Sequence, residues 1–382
     1  MARIAIIGAG ISGLNCAKYL ELNNNLSIDI YEKTDRIGGR IKSDLQDGFI
    51  LDHGFQVLLK SYPEAMKTFN YQELELYNFK AGASINGKII GDPLREPNTI
   101  IPTIFSDIGS LKDKLLILKL KGQDLKSENL KNVSTKDFLK KFGFSEKIIN
   151  SFFRPFFSGI FLNNQLENNA HFFNFLFKIF SKDYASIPRN GMEELPKNIL
   201  SQLRKTKVHL NQEVQIINDQ KLKILDSELD YDFIVKAYPS EKDISFYSVT
   251  TDYFWSYKDL FKSPRLYLNK DNDININHIA PLTNANPNYS PTGKYLYSVN
   301  NLTNTAREVI SRELNQIFPN IKFEFLKRYY IKNALPKMKT DLKIKQPLND
   351  LHCGDYLQSP SIDGALKSGR LVAEKILDKV SS

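Results

Sequence analysis

The feature that most constrains the fold is a glycine-rich turn after the first apolar run of the chain. The run 3–7 leads into Gly8, Gly10 and Gly13, and a second apolar run ends at Glu32, 19 residues after Gly13. In such a pattern the first glycine allows a tight turn, the second lets the backbone approach a pyrophosphate, and the third lets the helix pack on the strand. The helix N-terminus offers amides and a partial positive charge to phosphates, and an acidic residue about 20 positions further on binds ribose hydroxyls. The opening of the chain therefore predicts a dinucleotide-binding unit.

A second glycine pair follows Glu32 directly. Arg36, Gly38, Gly39 and Arg40 place backbone donors and two cations where an anionic pyrophosphate is expected. One glycine turn cannot hold the whole length of a long dinucleotide. Near the C-terminus, the pair 364–365 opens the last predicted helix and offers another N-terminal dipole.

Four segments together resemble the FAD-dependent amine oxidase superfamily. They are the opening glycine turn, the segment 36–40, the segment 50–56 and the late segment 353–370. The superfamily includes flavin amine oxidases, protoporphyrinogen oxidases and phytoene-type desaturases. The resemblance extends from the first strand to the last helix and is loose in the middle of the chain.

The resemblance implies an α/β fold in which a Rossmann-like FAD-binding domain, discontinuous in sequence, carries an α+β substrate domain. We predict an FAD-binding domain from residues 1–65, 188–240 and 340–382, and a substrate domain from residues 66–187 and 241–339. The cofactor is expected to be FAD. Covalent attachment through a cysteine occurs in some relatives, but no cysteine of this chain stands at a matching position, so we predict non-covalent binding.

The predicted cofactor contacts follow from the motifs and from the resemblance. In relatives, the segment that resembles 54–56 runs beside the isoalloxazine, and backbone near the position of Val214 contacts the adenine end. The predicted contacts are Gly8, Gly10, Ile11, Ser12, Gly13, Glu32, Lys33, Arg36, Gly38, Gly39, Arg40, Gly54, Phe55, Gln56, Val214, Gly354, Asp355, Asp363, Gly364 and Ala365.

Catalytic side chains are harder to identify, because flavin supplies the chemistry and the protein mainly orients the substrate. His53 precedes the segment that borders the flavin in relatives, so it is a candidate base or donor, with a structural hydrogen bond as the alternative. Lys332 precedes the late flavin segment, and some amine oxidases hold a water against N5 with a lysine; a solvated strand lysine is the alternative. The histidines show no metal-ligand spacing, so no metal site is predicted.

The segment 152–180 is unusually rich in phenylalanine. Helical spacing puts Phe173, Leu176, Phe177 and Phe180 on one face, which is typical of core packing. The alternative is a wall of the substrate cavity suited to a large apolar or conjugated substrate, with Phe156 and Phe173 as candidate lining residues.

Composition sets further limits. The chain has 382 residues, 42% of them hydrophobic, and a net charge of +9. Its length favours two domains. The lysines are dispersed among acids and no recognition motif accompanies them, so nucleic acid is not an expected partner. Two cysteines and a strand that begins near residue 3 indicate a cytoplasmic protein without a signal peptide. Residues 104–121 are basic and amphipathic, which suits either a surface helix or peripheral membrane contact.

These inferences predict an FAD-dependent oxidoreductase that dehydrogenates a hydrophobic small molecule by hydride transfer to flavin N5, in the manner of a desaturase. Dioxygen or a quinone would then accept the electrons. An amine or protoporphyrinogen oxidase is the alternative within the superfamily. A non-redox flavin-dependent isomerase and a flavin protein with a degenerate site are alternatives of other classes.

Overall fold

A computed structural model describes residues 1–92, 95–123, 130–239, 244–271, 273–337 and 351–381. The strands are β1 (Ala2–Ile7), β2 (Leu26–Tyr31), β3 (Ser43–Gln46), β4 (Phe49–Asp52), β5 (Leu58–Leu59), β6 (Tyr77–Asn78), β7 (Ala83–Ile85), β8 (Lys88–Ile90), β9 (Ala185–Ile187), β10 (Lys207–His209), β11 (Gln215–Asn218), β12 (Lys221–Ile224), β13 (Ser227–Asp230), β14 (Phe233–Lys236), β15 (Phe246–Ser256), β16 (Leu266–Leu268), β17 (Ile276–Pro281), β18 (Tyr295–Asn301) and β19 (Glu324–Pro336).

The helices are α1 (Ile11–Leu20), α2 (Pro63–Thr68), α3 (Tyr71–Leu74), α4 (Ile100–Phe105), α5 (Leu111–Gly122), α6 (Thr135–Phe142), α7 (Glu146–Ile148), α8 (Arg154–Phe161), α9 (Ala170–Lys182), α10 (Glu194–Leu200), α11 (Leu282–Ala285), α12 (Arg307–Ile317) and α13 (Ile362–Ser381). Among the helices in the part of the chain that the structure describes, none combines the length and the apolarity that crossing a bilayer requires.

A parallel sheet with the strand order β10-β2-β1-β14 forms the base of the molecule. Its strands are short apolar runs, and β1 is buried along its centre because other elements cover the sheet on both faces. Helices α1 and α13 pack together on one face, where a Cβ on Gly369 would collide with the Ser12 carbonyl oxygen. The sheet β11-β12-β13 packs on the other face through Leu222. Strands that are far apart in sequence thus share one sheet. The boundaries between the FAD-binding domain and the substrate domain stay a prediction.

The Asp47-Gly48 and Asn86-Gly87 pairs predict two hairpin turns, and the structure confirms both. Strands β3 and β4 pair across Asp47 and Gly48, and strands β7 and β8 pair across Asn86 and Gly87. All four turn residues have positive φ, between 46° and 84°. This conformation is what a two-residue hairpin turn requires, and Asn-Gly and Asp-Gly adopt it most readily.

A mixed sheet with the order β19-β15-β18-β17-β16-β7-β8 forms a second layer.

Two helices predicted from the sequence differ from those in the structure. The sequence predicts a helix over 303–315, but the helix begins at Arg307 and ends at Ile317, and Thr303 instead accepts a bond at its carbonyl from the Thr250 hydroxyl at 3.0 Å. The segment 104–121, predicted as one amphipathic helix, is divided between two helices: α4 ends at Phe105, because Ser106 has extended backbone, and Ser110 caps α5.

The phenylalanine-rich segment forms α8, α9 and a π-helical turn before them. Phe173 has no exposed surface, and its ring lies 4.7–6.0 Å from the rings of Phe138, Phe153, Phe157 and Phe177. Phe173 therefore belongs to the core, and its predicted place in the substrate pocket is wrong. Helical periodicity identifies a buried face but does not tell a packed core from a cavity wall.

Candidate functional site

The first glycine turn lies between β1 and α1. Gly8 has φ +107°, which a side chain would strain. A Cβ on Gly13 would collide with the Gly8 carbonyl oxygen, whereas a Cβ on Gly10 would meet no heavy atom within 4 Å. The turn is therefore tightly packed at Gly8 and Gly13 and open at Gly10.

The N-terminus of α1 offers donors at this opening. The helix has no side-chain cap and no acidic residue in its first turn. Leu14 donates the first intrahelical hydrogen bond, to the Gly10 carbonyl at 2.9 Å. The amides of Ile11, Ser12 and Gly13 precede it and have no intrahelical acceptor. A buried, uncapped helix N-terminus of this kind suits an anion.

The second glycine turn packs directly on the first. The Gly38 amide donates to the Ala9 carbonyl at 2.9 Å, and Gly38 pairs with Gly10 in an isolated bridge. Gly39 has φ +61°, and a Cβ there would lie 3.4 Å from the Gly10 Cα. The structure thus brings the first and the second glycine turn into contact, although they are well separated in the sequence.

Glu32 lies at the end of β2 with 8% of its surface exposed. One carboxylate oxygen accepts the Ala9 amide at 2.9 Å, and the other accepts the amide and the hydroxyl of Thr34 at 3.0 and 2.8 Å. The Gln212 amide donates to the Glu32 carbonyl at 2.9 Å, which places the segment leading to Val214 beside this edge. The neighbouring Lys33 is exposed.

Arg36 and His53 meet at an aspartate that the sequence analysis missed. Asp44 accepts from Arg36 at 2.9 Å, from the Tyr329 hydroxyl at 2.6 Å and from Lys327 at 3.2 Å, and His53 Nε2 lies 3.1 Å from it. These partners hold the pKa of Asp44 well below its usual range against the opposing effect of burial. Burial and the Arg36 charge lower the pKa of His53, although Asp44 opposes the shift. His53 therefore has the structural hydrogen bond that was the alternative to a catalytic role.

Arg40 connects the second glycine turn to the late motif. Its guanidinium donates to Asp355 at 2.5 Å and to the Ala334 carbonyl at 3.0 Å, and its own carbonyl accepts from Gln56 at 3.2 Å. The amide of Gly354 donates to Ser368 in α13 at 3.0 Å. Four predicted contact residues, Arg40, Gln56, Gly354 and Asp355, thus surround one junction.

The start of α13 is held by contacts within the protein. Asp363 is buried and accepts the amide of Glu64 at 2.7 Å, so it caps α2. A Cβ on Gly364 would collide with the Ser359 carbonyl oxygen, so this glycine is required by packing. The Gly364 amide donates to the Ser361 hydroxyl at 3.0 Å and the Ala365 amide donates to the Ser361 carbonyl at 3.0 Å. These contacts give Asp363, Gly364 and Ala365 partners within the protein, and their predicted roles in cofactor binding stay a prediction.

Gly54 and Phe55 lie between β4 and the mixed sheet. Gly54 has φ +88°, and a Cβ there would lie 3.4 Å from Ile331 Cδ1. Because successive strand residues point to opposite faces, Lys332 points away from Gly54, and it is exposed. Lys332 is therefore the solvated strand lysine that was the alternative to a catalytic one.

His278 on β17 is a second residue that the sequence analysis missed. It is 6% exposed, and its ring lies 5.3 Å from that of Phe55. Nδ1 is 2.9 Å from the Asn277 side-chain oxygen, so Nδ1 is assigned as the donor and Nε2 as an acceptor. Nε2 has no hydrogen-bond partner among the described residues, and burial lowers the pKa of His278 to about 4. A histidine within an apolar strand was the only sequence signal for this position.

Asp52, also missed, joins several elements at the end of β4. Its carboxylate accepts from the Ser43 hydroxyl at 2.5 Å, the Met192 amide at 2.9 Å and the Tyr289 hydroxyl at 2.8 Å. Its carbonyl accepts from Tyr253 of β15 at 2.8 Å. Burial raises the pKa of Asp52 to about 6 although three donors oppose the shift.

A pH dependence follows from this raised pKa. The folded protein retains a proton on Asp52 at pH values where the unfolded chain has lost it, so stability from this group is present below about pH 4 and is lost as the pH rises to about 6. The shift corresponds to roughly 3 kcal/mol. We expect the difference in free energy of unfolding between the wild type and Asp52→Asn to fall by about this amount over that window, measured by urea denaturation. A difference that does not change with pH would contradict the raised pKa.

The site fits FAD by two observations. The open space at Gly10 lies beside the uncapped N-terminus of α1, where a pyrophosphate would bind. The buried Glu32 lies next to the same turn, where a ribose would bind. Gln56 and Gly354 lie at the junction of Arg40 with Asp355, which joins the second glycine turn to the late motif.

Comparisons with known proteins agree with this geometry. The family model of flavin-containing amine oxidoreductases matches residues 11–242. Protoporphyrinogen oxidase 2 of Arabidopsis thaliana is 25% identical over 169 residues, which cover 41% of this chain and 32% of that protein. The 15-cis-phytoene desaturase of Synechococcus elongatus is 35% identical over 74 residues, 19% of this chain and 15% of that protein. The matched region thus spans a third or less of each relative.

The whole fold has solved counterparts. A putative protoporphyrinogen oxidase from Exiguobacterium sp. 255-15 superposes with a TM-score of 0.74 at 14% identity, over 99% of both chains. This likeness confirms the predicted fold class, and the family match covers more than half of the chain. The protein therefore belongs to the flavin-containing amine oxidoreductase family.

Proposed function

We propose that this protein dehydrogenates a C–C bond of an uncharged, hydrophobic small molecule, in the manner of a desaturase, and passes the electrons to dioxygen or a quinone. When bound, FAD supplies the two-electron chemistry by accepting a hydride at N5. The protein's own residues bind the cofactor, orient the substrate and exclude water.

The glycine turns would hold the cofactor without a covalent bond. The amides of Ile11, Ser12 and Gly13 and the amide of Gly39 would face the pyrophosphate, and Glu32 would accept from ribose hydroxyls. The cysteines of the described chain, Cys16 and Cys353, are both buried, and burial raises the pKa of each thiol. Neither is thus available as a thiolate for attachment to a flavin.

The proposed substrate class rests on the side chains that surround Phe55. Its ring makes contacts with Phe79, edge-on at 5.7 Å, and with His278 at 5.3 Å. Because the pKa of His278 is about 4, its ring is neutral at pH 7. We propose that these rings form one wall of the substrate cavity. Such a wall suits a largely apolar substrate, since a carboxylate would require a cation or several donors.

The relatives suggest porphyrinogens as a second substrate class. The protoporphyrinogen oxidase match is longer than the desaturase match, 169 residues against 74. A porphyrinogen is also hydrophobic but carries carboxylates, which the neutral His278 does not favour. The same experiment therefore compares both classes.

The test is anaerobic mixing of the oxidised holoenzyme with each candidate: a polyene, a porphyrinogen and an aliphatic amine. We expect the polyene to bleach the flavin with formation of one new double bond per flavin reduced. Bleaching by the porphyrinogen or the amine alone would contradict the proposed substrate class. Conversion of the candidate without net bleaching would indicate an isomerase. If no candidate reacts although dithionite still reduces the flavin, the substrate site is degenerate. Either outcome would overturn the proposal.

The role of Glu32 gives a prediction about the cofactor. Glu32→Ala removes a charged acceptor for ribose hydroxyls, each such bond contributing roughly 1.5–3 kcal/mol, so we expect FAD to bind more than about tenfold more weakly. Flavin released by acid precipitation measures the occupancy, and colour left in the pellet would contradict non-covalent binding. Glu228→Ala is the control, because Glu228 lies on β13 with its carboxylate paired to Lys221 at 3.1 Å.

A further inference from the structure

Helix α5 presents its leucines to solvent. Leu111, Leu115 and Leu118 are 66%, 67% and 48% exposed. The face turned toward the protein carries the buried Leu120, with Leu116 and Ile117 packed on the core, and one acid, Asp113, which is 1% exposed. Asp113 accepts the Ser110 and Ser145 amides, each at 2.8 Å. An ordinary surface helix has one apolar face, turned inward, whereas α5 carries a second apolar stripe that faces solvent.

The preceding helix α4 continues this apolar surface. Ile101, Ile104 and Phe105 are 69%, 45% and 83% exposed. Lys114 of α5 donates to the carbonyls of Ile104 and Ser106 at 2.7 and 2.9 Å, so the end of α4 is held against the start of α5. We call the exposed apolar residues of both helices the α4–α5 surface; they are Ile100, Ile101, Ile104, Phe105, Leu111, Leu115 and Leu118.

Lysines flank the leucines on both sides. At about 100° per residue, the three leucines of α5 fall within about 60° of arc. Lys112 and Lys119 follow on one side, where both are exposed, and Lys114 and Lys121 follow on the other. The only acid within α5 is the buried Asp113, and Lys121 is paired with Asp92 at 2.9 Å, so the exposed cations of α5 are Lys112 and Lys119.

From this arrangement we infer that the α4–α5 surface docks on an anionic lipid bilayer, with its apolar side chains at the acyl boundary and its lysines at the headgroups. A helix with an apolar outer stripe and cationic flanks lies in the plane of a membrane interface. Anionic headgroups attract such lysines, and the attraction weakens with salt. A protein partner would be expected to meet a surface that mixes charges of both signs, and a second copy would place cations against cations. The inference stands independently of the proposed substrate.

The experiment is vesicle flotation of the full-length holoenzyme. We expect binding to vesicles of phosphatidylcholine with phosphatidylglycerol, much weaker binding to phosphatidylcholine alone, and loss of binding as salt rises. The double variant Phe105→Ser/Leu115→Ser should bind the anionic vesicles at least about tenfold more weakly, because two of the most exposed apolar side chains are gone. The double variant Leu45→Ser/Leu225→Ser is the matched control, because these leucines are 77% and 85% exposed and lie on β3 and between β12 and β13.

A charge-reversal pair separates the electrostatic part. Lys112→Glu/Lys119→Glu should abolish the preference for phosphatidylglycerol, whereas Lys112→Arg/Lys119→Arg should keep it. Flavin content of every variant reports correct folding. The inference would be overturned if the wild type bound neither kind of vesicle, or if the Phe105/Leu115 variant bound as well as the wild type. It would also be overturned if the protein self-associated and the same variant removed that association, because the surface would then be a contact between two copies.

Discussion

Gly10→Val is expected to yield a folded protein that has lost nearly all of its FAD. Gly10 has φ −71° and ψ 170°, which valine adopts readily, and a Cβ there meets no protein atom within 4 Å. The new side chain instead enters the space beside the uncapped helix N-terminus, where the pyrophosphate would lie. We expect flavin occupancy to fall roughly tenfold or more, measured as flavin per chain after purification, with a far-UV spectrum like that of the wild type.

Two other glycines separate cofactor binding from folding. Gly122→Val is the control for adding a side chain, because Gly122 also has no heavy atom within 4 Å of a built Cβ and lies at the end of α5. Its flavin content should be unchanged. Gly13→Val should instead fail to fold, because its Cβ collides with the Gly8 carbonyl oxygen. Full flavin occupancy in Gly10→Val would contradict the role that we give to this turn.

Phe173→Ala is expected to lower the free energy of unfolding by about 3–5 kcal/mol. Its ring is fully buried and has four other phenylalanine rings as neighbours, so truncation removes both the burial and the aromatic contacts. Because Phe173 lies in the core, turnover per folded, flavin-containing molecule should stay close to that of the wild type. Urea denaturation and steady-state kinetics corrected for flavin content measure the two effects.

Phe156→Ala is the matched comparison on the same cluster. Phe156 is only partly buried, and its ring lies 5.8 Å from Phe152 and 5.5 Å from Phe180. A smaller loss of stability is therefore expected, and we propose that turnover of the substrate changes because this side chain lines the cavity. Unchanged kinetics in Phe156→Ala would show that the whole aromatic segment is packing. A large kinetic defect in Phe173→Ala at normal stability would return that residue to the pocket.

What the sequence by itself determined is local. The glycine turn and the two hairpins follow from backbone conformations that neighbouring residues demand, such as the positive φ at Gly8, Asp47 and Asn86. The amphipathic run of α9 likewise marked Phe173 as an inward-facing residue, because the helical period is visible in consecutive residues. The strand–turn–helix order and the position of Glu32 were sufficient to predict the dinucleotide-binding unit.

The tertiary structure decided which polar side chains share a partner. Asp363 caps α2 although 299 residues separate it from Glu64, and Asp44 gathers Arg36 and His53 with Tyr329 from the distant β19. His278 reaches Phe55 only because the fold brings β17 beside the segment that follows β4. Hydrogen bonds and burial depend on which segments the fold brings within about 3 Å, and no spacing along the chain encodes that distance. For that reason the glycine turns were predictable from the sequence, while the environments of Asp44, Asp52 and His278 became visible only in the folded protein.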